Sequence, residues 1–371
     1  MVNTKKVAVA GAGLVGRLLA FQLVQRGYEV HVYDPVPGPQ DPSVYEREQV
    51  ASPPHAAAWT AAGMLSPVSE LESGDAGVYQ LGMRSLALWP QIVASLSLPV
   101  VHAQQGSLML AHQGDEGSAQ RMTDLLVYKL RQAGQAQNAE ALQQRIKRIS
   151  MEELAQLEPS LSGVQQAWML PGEGQIHTRQ AMVALADAAE KQGVRWHWGE
   201  SVTRMEAGAL HTENGQRIEA DWVFDARGLE ARPELPVRGV RGEVLWLHAP
   251  GVVLNRPLRL LHPRYRVYIV PRPGEVVFIG ASEIESEDRG PMSVRSAVEL
   301  MAAAHSILPE LAEARIVHME TNLRPALPDN LPLIRTEDGI SRINGLFRHG
   351  WLMAPAMVQD ALQAFQAFES H

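Results

Sequence analysis

The segment VAVAGAGLVGRLLAFQLVQRGYEVHVYD, residues 7–34, decides the fold. Residues 7–10 are a short apolar run with the length of a buried strand, and Gly11, Ala12, Gly13, Leu14, Val15 and Gly16 follow at once. Leu18, Leu19, Leu23 and Val24 then recur at helical spacing. Gly27 stops the helix, and residues 30–33 form a second apolar run that ends at Asp34. This is a whole dinucleotide-binding βαβ unit, not a lone glycine pattern. Gly11 permits the tight turn out of the strand. Gly13 lets a pyrophosphate approach the backbone, and Gly16 lets the helix pack closely on the strand. The helix start offers free N–H groups and partial positive charge to phosphates. Asp34 lies about 20 residues past Gly13, where a carboxylate accepts ribose hydroxyls. It would repel a 2′-phosphate, so FAD or NAD fits better than NADP.

Composition narrows the rest. The chain has 371 residues, 46% hydrophobic and 20% charged, which reads as globular with a sizeable core. A net charge of −8 gives no basic field for nucleic acid or an anionic membrane. The chain has no cysteine, so disulfides, iron–sulfur clusters, a cysteinyl–flavin link and a thiol nucleophile are excluded. Only five of the 33 basic residues are lysine, the last being Lys191, so no lysine of the C-terminal half can form a Schiff base. Residues 1–6 run straight into the first strand, and no apolar run of ~20 residues is present, so a cytoplasmic location without a transmembrane segment is expected. Homo-oligomerisation is left open. The thirteen histidines show no HExxH or paired ligand spacing, so no metal site is expected.

Farther along, residues 35–56 are rich in proline and polar residues and read as a long loop. Residues 56–66, AAAWTAAGMLS, lack bulk around Ala62, Gly63 and Met64. Such a run suits close approach to something flat, or an ordinary buried helix start. Helices are expected over 78–98, within 115–145, and over 178–192, 293–307 and 357–368. Strands are expected over 106–111, 194–198, 219–226, 240–247 and 340–347, with a hairpin over 264–271 and 275–281. Strands outside the first βαβ unit alternate or carry charges, which favours a mixed or antiparallel second sheet.

The order of these pieces resembles the FAD-dependent D-amino-acid oxidase superfamily, especially its glycine oxidase branch. The motifs are GAGLVG at 11–16, AAGM at 61–64, GSL at 106–108, DARG at 225–228, VRGE at 240–243, YIVPR at 268–272, IGAS at 279–282, LRPALPD at 323–329 and LFRHGWLMAPA at 346–356. The resemblance implies an α/β protein with a Rossmann-type FAD-binding domain and a second, mostly antiparallel-sheet substrate domain. It implies a discontinuous FAD-binding domain of residues 1–85, 146–235 and 320–371, with 86–145 and 236–319 on the substrate side. It implies non-covalent FAD held by the glycine loop, Asp34, Ala62, Gly63, Met64, the Val202 backbone, and Gly350, Trp351 and Leu352 near the start of the last helix. It further implies that Arg324 binds a substrate carboxylate, with Tyr268 and Arg348 beside the substrate.

Each residue has a plainer reading. Arg324 could pair with a surface acid, Tyr268 could be core, and Arg348 could be a solvated loop residue. His349 is adjacent, but the family's chemistry needs no base. Glu283 stands where the family's glycine oxidase has an apolar residue, and could be a solvated strand-end acid. Arg264, Tyr265 and Arg266 make the strand before YIVPR unusually polar. His55 precedes AAWTAAGM, and some superfamily members bind flavin covalently through histidine.

The expected activity is oxidation of a small amino acid, such as glycine, a D-amino acid or an N-alkyl glycine. Hydride transfer to flavin gives an imino acid and then an oxo acid, with oxygen as acceptor. The alternatives are a D-amino acid or cyclic amine dehydrogenase using a quinone, and a flavin-binding partner subunit. An NAD-dependent dehydrogenase would need a separate catalytic domain.

Overall fold

The computed structural model describes residues 4–39, 55–135, 138–261 and 266–369. Most of the long loop expected at 35–56 lies outside them, as do Arg264 and Tyr265.

Strand Lys6–Ala10 sits near the middle of a six-stranded sheet. It pairs in parallel with Glu29–Asp34 on one side and Trp222–Asp225 on the other. Arg195–Trp198 and Ile340–Asn344 extend the parallel array, and only Leu333–Glu337 at the edge is antiparallel. The unbroken apolar run at 7–10 follows from burial on both faces. Val7 and Val9 pack under helices Leu14–Gln25, Thr178–Lys191 and Gly350–Glu369, while Ala8 and Ala10 meet a three-stranded sheet built from residues 202–219.

A second sheet of eight strands is antiparallel throughout except where Leu258–Leu261 runs parallel to Ser107–His112. Its centre is Arg238–His248, Val276–Gly280 and Arg266–Arg272, with Arg315–Ala326 along one edge. Alternation divides its side chains. Leu245, Leu247, Ile269 and Ile279 face helix Val294–His305, whereas Val244, Trp246, Val270 and Phe278 face Ala62. The fold is therefore mixed α/β with both kinds of sheet. Lys147–Ile149, Val164–Leu170 and Arg315–Ala326 belong to the eight-stranded sheet, although the sequence grouped most of these residues with the nucleotide side.

Several elements differ from expectation for identifiable reasons. The last helix begins at Gly350, not at residue 357, and runs through Pro355. Proline removes the N–H that would bond the carbonyl four residues back. That carbonyl, on Trp351, accepts the Trp89 indole N–H at 3.0 Å instead. Helix Ala76–Ala94 carries Pro90 in the same way, and the Leu86 carbonyl it frees accepts from Gln104 at 3.0 Å. The strand expected over 219–226 is two elements, Arg217–Glu219 in the small sheet and Trp222–Asp225 in the six-stranded one. The strand expected over 340–347 stops at Asn344, where Gly345 takes a positive φ of 74°.

Candidate active site

A cavity of about 540 Å³ runs from the glycine loop to the eight-stranded sheet. Gly11, Gly13, Leu14, Val15 and Asp34 line one end, and Tyr268, Arg324 and Arg348 line the other. Ala62, Gly63, Met64, Val202, Gly350, Trp351 and Leu352 lie along it. Of the cofactor and substrate residues expected from sequence, only Gly16 falls outside the wall, and it acts beneath it. A Cβ on Gly16 would stand 1.8 Å from the Gly11 carbonyl oxygen. A Cβ on Gly13 would meet nothing closer than Ala56 Cβ at 3.3 Å, so that face is open. Gly16 thus serves the fold, and Gly13 leaves space for a ligand.

Asp34 accepts from the Ala12 amide at 2.6 Å and the Val36 amide at 3.0 Å, fixing the loop at the strand end. Burial raises its pKa, against the pull of these amides and of Arg17. The Val202 carbonyl accepts from Arg227 at 3.2 Å. Gly63 has φ 66°, and a Cβ there would strike the Ile176 carbonyl at 2.1 Å. The run 56–66 is not a helix. It is a short 3-10 turn at Ala57–Trp59 followed by strand Met64–Leu65, and it presents small side chains to the cavity. Its shape and its run of small residues fit FAD. The start of helix Gly350–Glu369 opens on the same space, favouring negative charge there.

The far end is laid out by strand register. One row across the sheet reads Glu320, Val244, Gly280, Tyr268 and Arg259. Glu320, Asn322 and Arg324 alternate onto the same face of their strand. Two glycines seat the large side chains. A Cβ on Gly280 would lie 2.8 Å from the Tyr268 ring, and one on Gly242 would lie 2.5 Å from Arg324 Nη2. Arg324 donates to the carbonyls of Ser282 at 3.0 Å and Arg241 at 3.3 Å. It makes no ion pair among the described residues. Burial lowers its pKa and raises that of Tyr268, and each moderates the shift of the other.

Arg348 reaches the cavity but is already held, by Glu70 at 3.2 Å and Glu283 at 3.0 Å. Burial opposes its charge, yet those two carboxylates raise its pKa above the ordinary value. His349 is buried with Nδ1 3.2 Å from Glu70. Glu283 is exposed, as expected of an acid at a strand end, and it also pairs with Arg348.

The sequence reading missed Glu70, Arg259 and Glu320. Glu70 and Glu72 follow AAGMLSP closely and both meet Arg259. Glu320 Oε1 takes bonds from His55 at 2.6 Å and Thr60 at 2.5 Å, and Oε2 from Arg179 at 2.8 Å. Burial alone would raise the carboxyls of Glu70 and Glu320. Arg348, His349 and Arg259 hold the first well below its ordinary value, and His318, His55 and Arg179 hold the second. An interior glycine in an alternating strand, as in VRGE and IGAS, was the available signal for a side chain lying across the sheet.

A folded carboxyl with a depressed pKa contributes stability that is fully present above its unfolded value and is lost as the pH falls toward the folded one. Glu320→Gln is expected to destabilise the protein by about 3–5 kcal/mol at neutral pH, because it breaks the buried ion pair with Arg179. The gap from wild type should close as the pH drops below the ordinary carboxylate value of 4.5. Urea unfolding across a pH series checks this; a gap that stays constant down to acid pH contradicts the assignment.

A dinucleotide loop at one end of a long cavity, and at the other a buried guanidinium that makes no ion pair among the described residues, suit a flavin-dependent oxidoreductase. The chain matches the DAO family, FAD dependent oxidoreductase, over residues 6–361 and belongs to it. It is 33% identical over 357 residues to a Rhizobium etli chain named for a thiamine biosynthesis oxidoreductase, ThiO, covering 96% of this chain and 94% of that one. It is 25% identical over 374 residues to the glycine oxidase of Geobacillus kaustophilus, covering 96% and 91%. The crystal structure of that glycine oxidase superposes with a TM-score of 0.80, at 24% identity over 98% of this chain and 95% of the other. These similarities fall in the glycine oxidase-like branch. Among the described residues no cluster could hold a metal, and no helix is long and apolar enough to cross a membrane.

Proposed function

We propose that the protein oxidises the C–N bond of a small amino acid, glycine, a D-amino acid or an N-alkyl glycine, with oxygen as acceptor. FAD supplies the two-electron redox chemistry. The observation that carries the reading is Arg324, a buried guanidinium on the cavity wall that bonds backbone carbonyls and, among the described residues, no carboxylate. A buried cation without an acid partner is costly unless a ligand supplies one. A carboxylate meets that need through two charge-assisted bonds and fixes the rest of the substrate in position.

Tyr268, stacked along the same wall, would hydrogen-bond the substrate and help exclude water. Arg348, neutralised by Glu70 and Glu283, would act as a wall rather than as a second clamp. Asp34 would hold the adenosine ribose, and the Val202 segment would line the adenine. Residues 236–319 would form most of the substrate side. FAD would be bound non-covalently, since the chain has no cysteine and His55 Nε2 is engaged by Glu320. Acid precipitation should leave the flavin in the supernatant, and colour retained in the pellet contradicts this.

The test is anaerobic mixing of the holoprotein with glycine, sarcosine, proline and a panel of D- and L-amino acids. Loss of the flavin's visible absorbance with at least one small amino acid is expected. No bleaching with any of them would remove the proposal.

A further inference from the structure

Arg324, Arg348 and Tyr268 all line the cavity at its substrate end, and both arginines act electrostatically on Tyr268. They differ in what already holds them. Arg324 makes no ion pair among the described residues, although the Glu283 charge also acts on it at longer range, whereas Arg348 has two close carboxylates. Those two carboxylates are not equivalent. Glu70 is only 18% exposed and also meets His349 and Arg259. The Glu283 side chain is 43% exposed, and its one ion pair among the described residues is with Arg348.

We propose that Glu283 determines specificity: by occupying Arg348 it restricts the site to substrates with a single carboxylate. This rests on the amino acid reading given above. A substrate carboxylate on Arg324 leaves its side chain or N-substituent to reach toward Arg348. A second carboxylate arriving there meets Glu283, and like charges at that distance discriminate strongly against it. Without Glu283, Arg348 would retain only Glu70 and would present a donor face to the cavity. An acid with two carboxylates could then bridge both arginines.

The backbone around Glu283 is held independently of its side chain. The Ser282 amide donates to the Glu243 carbonyl at 3.2 Å, and Ile284 exchanges two bonds with Arg241, at 2.9 and 3.0 Å. The Ser282 carbonyl that supports Arg324 therefore stays in place when the side chain is shortened. The Glu283 side chain is also exposed enough that its removal leaves no buried charge stranded, since Arg348 keeps Glu70.

The test uses the FAD-loaded enzyme and two ligands that cannot be oxidised, acetate and malonate, titrated by their perturbation of the visible flavin spectrum. In wild type, acetate should bind more tightly than malonate. In Glu283→Ala, the ratio of the two dissociation constants should shift toward malonate by about tenfold or more, the size of one additional ion pair. Glu283→Asp, which keeps the charge, should retain most of the wild-type preference. The ratio of kcat/KM for D-alanine over D-aspartate should move in the same direction. An unchanged ligand ratio in Glu283→Ala, or an Asp variant that behaves like the Ala one, would overturn the proposal. Because acetate and malonate report without turnover, this result is separate from the substrate screen. Wild type reduced by no amino acid would defeat the proposed reaction, while the titration would still judge Glu283.

Discussion

Arg324→Ala is expected to lower kcat/KM for amino acids by about thirtyfold to several thousandfold, equivalent to roughly 2–5 kcal/mol of lost binding and positioning. The loss follows from the seat of this side chain. Its guanidinium lies across Gly242, which has no side chain to move into the vacated position. Arg348 cannot take over, because Glu70 and Glu283 already hold it. Arg324→Lys should recover only part of the rate, since an ammonium cannot make a two-pronged contact. FAD content and the flavin spectrum should stay near wild type. Steady-state kinetics with a carboxylate substrate and with a simple amine check this together. Only the carboxylate substrate should suffer, and a normal kcat/KM with every carboxylate would remove the role given to Arg324.

The second large effect separates two glycines of one motif. Gly13→Val should fold yet purify largely without flavin, with FAD affinity reduced by roughly a hundredfold or more, about 3 kcal/mol. A Cβ at Gly13 finds only Ala56, so its branches would extend into the open face of the loop, where the pyrophosphate would lie. Gly16→Val should instead lose stability, by about 1–3 kcal/mol or more, because its Cβ lands on the Gly11 carbonyl. Thermal unfolding and flavin content, measured on both variants, distinguish them. A flavin-replete Gly13→Val would mean that this face is not where FAD binds.

The nucleotide end was legible because its signals are local. One strand, one glycine loop, one helix and Asp34 occupy a continuous stretch, and each residue has a steric reason to be there. The substrate end is assembled across five strands, and only register brings Arg324, Tyr268 and Arg259 onto one sheet. The resemblance supplied Arg324 and Tyr268, but no local pattern could reveal that Arg348 would be bound by Glu70. Glu320 was hidden for the same reason, since His55, Thr60 and Arg179 converge on it from separate segments. Proline misled the reading of the last helix, because the indole of Trp89, which satisfies the freed carbonyl, lies far away in the chain. The strand ending in Arg324–Pro325 tolerates its proline because it is an edge, with no second neighbour requiring that N–H.

The most direct test of amine oxidation anchored by a carboxylate is anaerobic reduction of the bound flavin by matched pairs, each an amino acid and the same amine without its carboxylate. D-alanine with ethylamine and glycine with methylamine serve, followed by rapid mixing and visible absorbance. At least one amino acid should reduce the flavin at least about a hundredfold faster than its partner at equal concentration, consistent with the loss of a charge-assisted clamp. Equal rates within a pair, or reduction by the amines alone, would contradict oxidation anchored by a carboxylate.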